Sequence, residues 1–385
     1  MQSTTNVVII GGGVIGCAIA YYLRKSNVAV TVIDKGEIGA EASSAAAGLL
    51  APLGSLPGPG PLADLLLASW SIFPSLVPEL EQASGIHLAY EQSGSLRVAR
   101  NPNNVANLRK RVNAWQPLGL EMRWLTGDEA RQREPLLAPG ISAAIYAPEE
   151  SQVKAPHVVK AFARAAANLG AKFSPHTNII GMDIRANNIT RVHTTQRRDP
   201  IDRAPEGRRD EIQCNHLIIA SGAWTRETGG LLDLSLPVEP QRGQILTLEQ
   251  PSPPLKHIIL GEAVYLAPKS DGTIVVGATK EEVGFDKRLT AGGIAWLLAT
   301  AIRLLPSLEG APIDQMWTGL RPKTPDNLPI LGKVPSLENV TLAAGHGSTG
   351  IMLSAITGKT IAELVVTGRA PELIAPFSVE RFHQS

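Results

Sequence analysis

Apolar residues along this chain follow two periods, and their order outlines an architecture. Asn6 to Ile10 is an unbroken apolar run of strand length, and Val14 to Lys25 carries apolar positions spaced near 3.6, so a buried strand feeding a helix is expected. Val28 to Ile33 is a second β-rich run. Continued alternation would bring another helix here. Instead the chain enters an Ala-, Gly- and Pro-rich stretch, Ala42 to Ala63, which carries no charge. Pro52, Pro57, Pro59 and Pro61 exclude a membrane-spanning helix there.

Further on, Asp64 to Ser84 has a helical pattern, with kinks expected at Pro74 and Pro78. His87 to Val98 alternates as a strand. Thr126-Gly127-Asp128-Glu129 has the form of a capping box, and Ile141 to Tyr146 is a strand candidate. Pro156 suits the first turn of a helix that runs to Leu169 and stops at Gly170. Arg191 to Gln213 is polar, with paired arginines at 197–198 and 208–209, and reads as a solvated loop, open to disorder, within a hairpin.

His216 to Ala220 returns to a buried-strand pattern. Glu262 to Ala267 and Thr273 to Gly277 flank Ser270-Asp271-Gly272, a hairpin signal. Val340 to Ala344, a glycine-rich turn and a helix from Gly350 to about Val366 follow. No internal repeat is visible. Strands alternate with helices at both ends and form hairpins between, which suggests an α/β cofactor domain interrupted by a sheet-rich substrate domain.

Composition narrows the function classes. With 36 Lys and Arg against 35 Asp and Glu, no surplus of charge points to nucleic acid or an anionic membrane. Cys17 and Cys214 are too few for a disulfide framework, and the N-terminus lacks a basic start with a separate apolar region, so a cytoplasmic protein is expected. The eight histidines do not cluster at ligand spacing, so no metal site is expected. No Gly-x-Ser-x-Gly elbow suggests a hydrolase.

The clearest chemistry lies at Gly11-Gly12-Gly13-Val14-Ile15-Gly16, between a strand and a helix. Gly11 permits the tight turn, Gly13 lets the backbone approach a pyrophosphate, and Gly16 lets helix and strand pack closely. The helix start then presents amides and a positive dipole end to the phosphates. Asp34 closes the second strand, 18 positions beyond Gly16, where its carboxylate can accept from ribose hydroxyls and would repel a 2′-phosphate. Near the C-terminus, Ala343 to Gly350 repeats the strand–glycine turn–helix arrangement around His346, Gly347, Ser348 and Thr349. A second helix start can face the pyrimidine end of a flavin, which becomes negative on reduction. Read alone, each turn is also consistent with a plain glycine connection.

Taken in order, VVIIGGGVIGCAIAYYL, SSAAAGLLAP, APHVVKAFARAAANLGAKF, IIASGAWT, PVEPQRGQILTL, VYLAPKSDGTIVVGAT, WTGLRPKTPDNLPILG and AAGHGSTGIMLSAITGKTIAEL resemble the glycine oxidase branch of the D-amino acid oxidase family. The resemblance implies a Rossmann-like FAD-binding domain of the GR2 type, interrupted by an α+β substrate-binding domain with a large antiparallel sheet. The FAD domain would take residues 1–85, 145–222 and 315–385, and the substrate domain 86–144 and 223–314. Non-covalent FAD contacts are implied at Val14, Ile15, Asp34, Lys35, Ser43, Ser44, Ala47, Gly48 and Leu49, at the main chain near Ile179, and in the turn from His346 through Gly350 and Ile351 to Met352. Arg321 and Tyr265 match the family's substrate residues. Ser348 departs from an arginine of that turn in Bacillus-type glycine oxidases, which admits sarcosine, D-alanine or D-proline besides glycine.

The implied reaction is hydride transfer from a small amino acid to flavin N5. An imine is released, then glyoxylate (or another 2-oxo acid) and ammonia, with dioxygen reduced to hydrogen peroxide. The resemblance further implies a homotetramer and a link to thiamine biosynthesis. Two alternatives share these motifs: a dehydrogenase passing electrons to a quinone or protein, and a non-catalytic dinucleotide-binding sensor in which Arg321 is idle.

Overall fold

In the computed structural model, residues 6–56, 58–196, 208–261 and 263–382 are described. They form a six-stranded sheet, an eight-stranded sheet and two small ones. The six-stranded sheet runs in the order 330–333, 340–344, 216–219, 6–10, 29–33 and 172–174; all neighbours are parallel except the first pair. Both of its faces are buried, as the apolar run at Asn6–Ile10 requires. Val7 and Ile9 pack with Ala18, Ile19 and the closing helix, while Val8 and Ile10 pack with Leu217, Ile219 and Leu342.

Helix Val14–Lys25 crosses closely against helix Gly350–Thr367, because a Cβ on Gly358 would come within 2.8 Å of the Tyr22 ring. Gly350–Thr367 is long and apolar enough to cross a membrane, yet 67% of it is buried inside the protein. It is the central helix of a packed core. Helices Pro61–Trp70 and Phe73–Ser84 meet at 48°, with Pro74 in the first turn of the second and Pro78 inside it. Thr126 and Glu129 form the reciprocal cap that their spacing suggests.

The eight-stranded sheet orders strands 313–323, 239–249, 273–277, 265–268, 258–260, 95–99, 143–147 and 123–126. Its pairs are antiparallel apart from 258–260 beside 95–99. Strands Ala143–Ala147 and Ile313–Lys323 belong to this sheet, so the boundaries expected at 145 and 315 cut through two strands of the larger sheet.

Two expectations need correction. The strand expected over His87 to Val98 is confined to Ser95–Ala99, since Ala89 (φ 51°) and Gly94 (φ 66°) turn the chain before it. The described ends of the polar segment Arg191 to Gln213 are strand and close the expected hairpin: Asn188–Gln196 pairs with Thr177–Arg185 and with Arg208–Gln213. Arg191, Arg209 and Glu211 lie on one face while Val192, Thr194 and Ile212 lie on the other, with Val192 packed inward, an alternation that polar composition disguised. Residues 197–207, with the first arginine pair, lie outside the described residues, as does Glu262 at the start of the expected hairpin.

Candidate active site

One cavity of about 330 Å³ lies between the two large sheets. Gly13, Val14 and Ile15 line one end, the Ala42–Leu49 segment one side, and Gly345 to Met352 another. Tyr265 and Arg321 line the face provided by the eight-stranded sheet.

Steric demand explains the first turn. A Cβ on Gly11 (φ 107°) would fall 2.3 Å from the Ala220 carbonyl oxygen, and one on Gly16 would fall 1.9 Å from that of Gly11. Asp34 braces the turn, accepting from the Gly12 amide at 2.7 Å and the Gly36 amide at 2.8 Å. Burial nonetheless raises its carboxyl above the usual range, against those two amides and Lys35. Lys35 stands over the Trp224 ring, 3.5 Å from its centroid, and is not a cavity residue. Val14 donates to Ser43 Oγ at 2.9 Å; the other first-turn amides of this helix lack intrahelical acceptors.

The Ala42–Leu49 segment is clamped to the eight-stranded sheet and to the loops beside it. Ser44 Oγ donates to the Gly39 carbonyl at 2.6 Å, and Trp317 Nε1 donates to the Ala45 carbonyl at 3.0 Å. Lys269 Nζ donates to Ala47 O at 2.7 Å, Gln152 Oε1 at 2.8 Å and Val153 O at 3.3 Å, and burial pushes its pKa down to about 8. Gly48 (φ 76°) leaves no room for a side chain, since a Cβ would lie 2.1 Å from Val153 O.

The closing turn is joined to the sheet by main chain: Gly347 N donates to Pro322 O at 2.9 Å, directly after Arg321. Thr349 donates through both its amide and its hydroxyl to the His346 carbonyl. His346 is buried, its Nε2 lies 3.2 Å from Thr357 Oγ1, and burial pushes its pKa down to about 3. A neutral, enclosed imidazole is a structural part of this turn.

Arg321 and Tyr265 reach the cavity because glycines make way. A Cβ on Gly243 would lie 2.5 Å from Arg321 Nη2, and one on Gly277 would lie 2.3 Å from the Tyr265 hydroxyl. Arg321 Nη1 donates to the Thr279 carbonyl at 2.9 Å, and no carboxylate pairs with the guanidinium among the described residues. Burial lowers the Arg321 pKa, with Tyr265 opposing; burial also pushes the Tyr265 hydroxyl up to about 12. An unpaired, enclosed guanidinium beside a phenol is suited to a carboxylate.

Of the expected contacts, Ile179 does not line this cavity; it packs against the Val8 side of the six-stranded sheet. Its neighbour Thr177 is the one tied to the second-strand loop, its amide donating to Asp34 O at 2.8 Å. Sequence reasoning missed Lys269, Arg97, Gly243 and Gly277. A lysine beside a hairpin turn reads as exposed, and a strand glycine declares nothing until its cross-strand neighbour is known.

The donor set fits a flavin dinucleotide. Two helix N-termini, at Val14 and Gly350, border the same cavity, and the glycines between them let main chain approach a flat, anionic molecule. Among the described residues there is no group of His, Cys, Asp or Glu suited to a metal ion.

Comparison with known proteins agrees with this geometry. Residues 6–364 match the model of the DAO family, described as FAD dependent oxidoreductase. A glycine oxidase of Geobacillus kaustophilus is 35% identical over 383 residues, 99% of this chain and 98% of that protein. The crystal structure of glycine oxidase from Geobacillus kaustophilus superposes with a TM-score of 0.90 at 34% identity, covering 98% of this chain and 99% of the other. The Bifunctional protein ThiO/ThiG of Trichormus variabilis is 34% identical over 99% of this chain, which spans 56% of that longer protein. This chain belongs to the DAO family of FAD-dependent oxidoreductases, and its cofactor is FAD.

Proposed function

We propose that this protein oxidatively deaminates a small amino acid, with glycine, sarcosine, D-alanine and D-proline as the candidate substrates. The observation that carries the reading is the unpaired guanidinium of Arg321 beside the Tyr265 hydroxyl, on the wall of the cavity that both glycine turns border. FAD supplies the two-electron acceptor. Arg321 would hold the substrate carboxylate by two parallel hydrogen bonds and Tyr265 would add a third, which fixes the orientation of the Cα–H.

The substrate reacts as the neutral amine, whose lone pair assists loss of hydride. No side chain need take a proton in that step. His346 fits this view: it is neutral above about pH 3 and turned to Thr357. Ser348 lines the cavity with a short uncharged side chain, which leaves room for an N-methyl or β-methyl group. The imine product leaves and is hydrolysed: glycine gives glyoxylate and ammonia, D-alanine its 2-oxo acid and ammonia, sarcosine glyoxylate and methylamine, and the cyclic imine from D-proline opens to a 5-amino-2-oxo acid. Dioxygen is the proposed final acceptor, giving hydrogen peroxide. The match to ThiO/ThiG supports a place in thiamine biosynthesis, in which dehydroglycine feeds thiazole formation.

Peroxide formation with the four amines tests this reading. Stoichiometric peroxide and 2-oxo acid are expected from at least one. Turnover that requires a quinone or protein acceptor, with no peroxide, makes the protein a dehydrogenase.

A further inference from the structure

Arg97 lines the same cavity as Arg321, and the reaction above leaves it without a task. Sheet register fixes its position. Arg97 pairs with Leu260, Leu260 with Tyr265, and Tyr265 with Gly277. Directly paired residues share a face of the sheet. Arg97, Leu260 and Tyr265 all line the cavity accordingly, with two strand spacings, about 10 Å, separating the Arg97 and Tyr265 backbones.

The Arg97 guanidinium is enclosed and poorly satisfied. Its Nε has no hydrogen-bond partner, and Nη2 reaches the Leu53 carbonyl only at 3.5 Å. No carboxylate forms an ion pair with it among the described residues. Glu150 acts on it only at longer range: that buried carboxylate is taken up by the Leu53 amide at 2.8 Å and by the Ser95 hydroxyl. Trp115 offers a ring face, with its centroid 5.6 Å from Cζ, but no acceptor for the N–H groups. Burial, then Arg111, push the Arg97 pKa down to about 10, which leaves the group charged at neutral pH. Gly54 keeps the space beside it open, since a Cβ there would stand 3.4 Å from Nη2. A half-buried charge this poorly partnered is stabilised by an anion that completes it.

We propose that Arg97 forms a distal anion subsite, and that the preferred substrates are small amines bearing two carboxylates, one held by Arg321 and Tyr265 and the other by Arg97. Secondary amines with two carboxymethyl arms and D-amino acids with an acidic side chain share this chemistry. The proposal deepens the reading above, since it assumes that the first carboxylate lies on Arg321. Neutral-tailed substrates such as sarcosine occupy only half of the site.

Two unreactive thioethers separate binding from turnover: thiodiacetate, with two carboxylates, and (methylthio)acetate, with one. Each is titrated into the FAD-loaded protein and read from the flavin visible spectrum. Wild type is expected to bind thiodiacetate at least about tenfold more tightly, the scale of one charged hydrogen-bond pair. Arg97→Met brings the ratio of the two affinities toward one, and Arg97→Lys retains part of the preference. Gly54→Asp, which sets a carboxylate beside the intact guanidinium, also removes the preference and stands in if Arg97→Met does not fold. Equal wild-type affinities, or a ratio unchanged in the variants, overturn the proposal. Loss of the ratio in a protein whose flavin no amine reduces retains the subsite and rejects only the oxidase reading.

Discussion

The two ends of the cavity are built from different material. At the end proposed for the dinucleotide, sterics and main chain decide: Gly11 and Gly16 are forced by contacts of 2.3 and 1.9 Å that a Cβ would make, and Asp34 answers backbone amides. At the end proposed for the substrate, long side chains decide: Arg321 and Tyr265 project from the sheet into space cleared by Gly243 and Gly277. At Gly11 and Gly16 the main chain tolerates no side chain, because a Cβ there collides with backbone. Side chains can be exchanged while the fold persists, which is how one scaffold keeps its cofactor and changes its substrate.

That contrast breaks if mutations at the two ends have like consequences. The largest effect is expected for Gly16→Val. Its branched side chain must displace the turn against Gly11 O, so the purified protein should lack FAD altogether, read from its visible absorbance. Arg321→Ala should instead keep its FAD and lose about 3 kcal/mol of substrate binding, roughly a hundredfold rise in KM. Should Arg321→Ala also emerge without FAD, the two ends are not separable.

This division also governs what was legible in the sequence. The first strand, turn and helix could be read because local sterics write themselves as glycines at fixed spacing, and the Asp34 position followed. The same holds for the capping box at Thr126 and the helix beginning at Ala155. The substrate wall was legible only through family motifs, since the register that sets Tyr265 opposite Gly277 joins strands whose pairing no local pattern states. Arg97 was invisible for the same reason: on Ser95–Ala99 it looks like an outward-facing charge until Leu260 is seen beside it. The hairpin around residues 197–207 was legible, but its strand ends were read as loop because Arg191, Arg209 and Glu211 make them polar.

The closing turn joins the two ends, and His346 sharpens the comparison there. Its folded pKa of about 3 lies below the ordinary value of 6.5, so between those limits the unfolded chain binds a proton that the folded chain does not. Stability from this group is complete above pH 6.5 and is lost as pH falls toward 3. His216, pushed down to about 4, adds in the same window, so the informative quantity is the difference between proteins. His346→Gln should flatten the acid limb of stability against pH by roughly 3 kcal/mol at pH 4, with Arg321-dependent binding little changed. An unaltered acid limb would show that the imidazole is not enclosed as described.

The smallest effect is expected at Tyr265→Phe. Removing one hydrogen bond to a carboxylate already held by Arg321 should raise KM by about fivefold, near 1 kcal/mol, without changing FAD content. A loss as large as that of Arg321→Ala would give the phenol an equal share of the carboxylate.

The most direct measurement is anaerobic mixing of the FAD-loaded protein with glycine, sarcosine, D-alanine and D-proline, beside Arg321→Ala at the same concentrations. Wild-type flavin should bleach with at least one of them at a rate that rises with pH as the amine loses its proton, and Arg321→Ala should bleach only at far higher substrate. A wild-type flavin that stays yellow with every amine, or an Arg321→Ala protein that bleaches as readily as wild type, would contradict the assignment of this cavity to small amino acid oxidation.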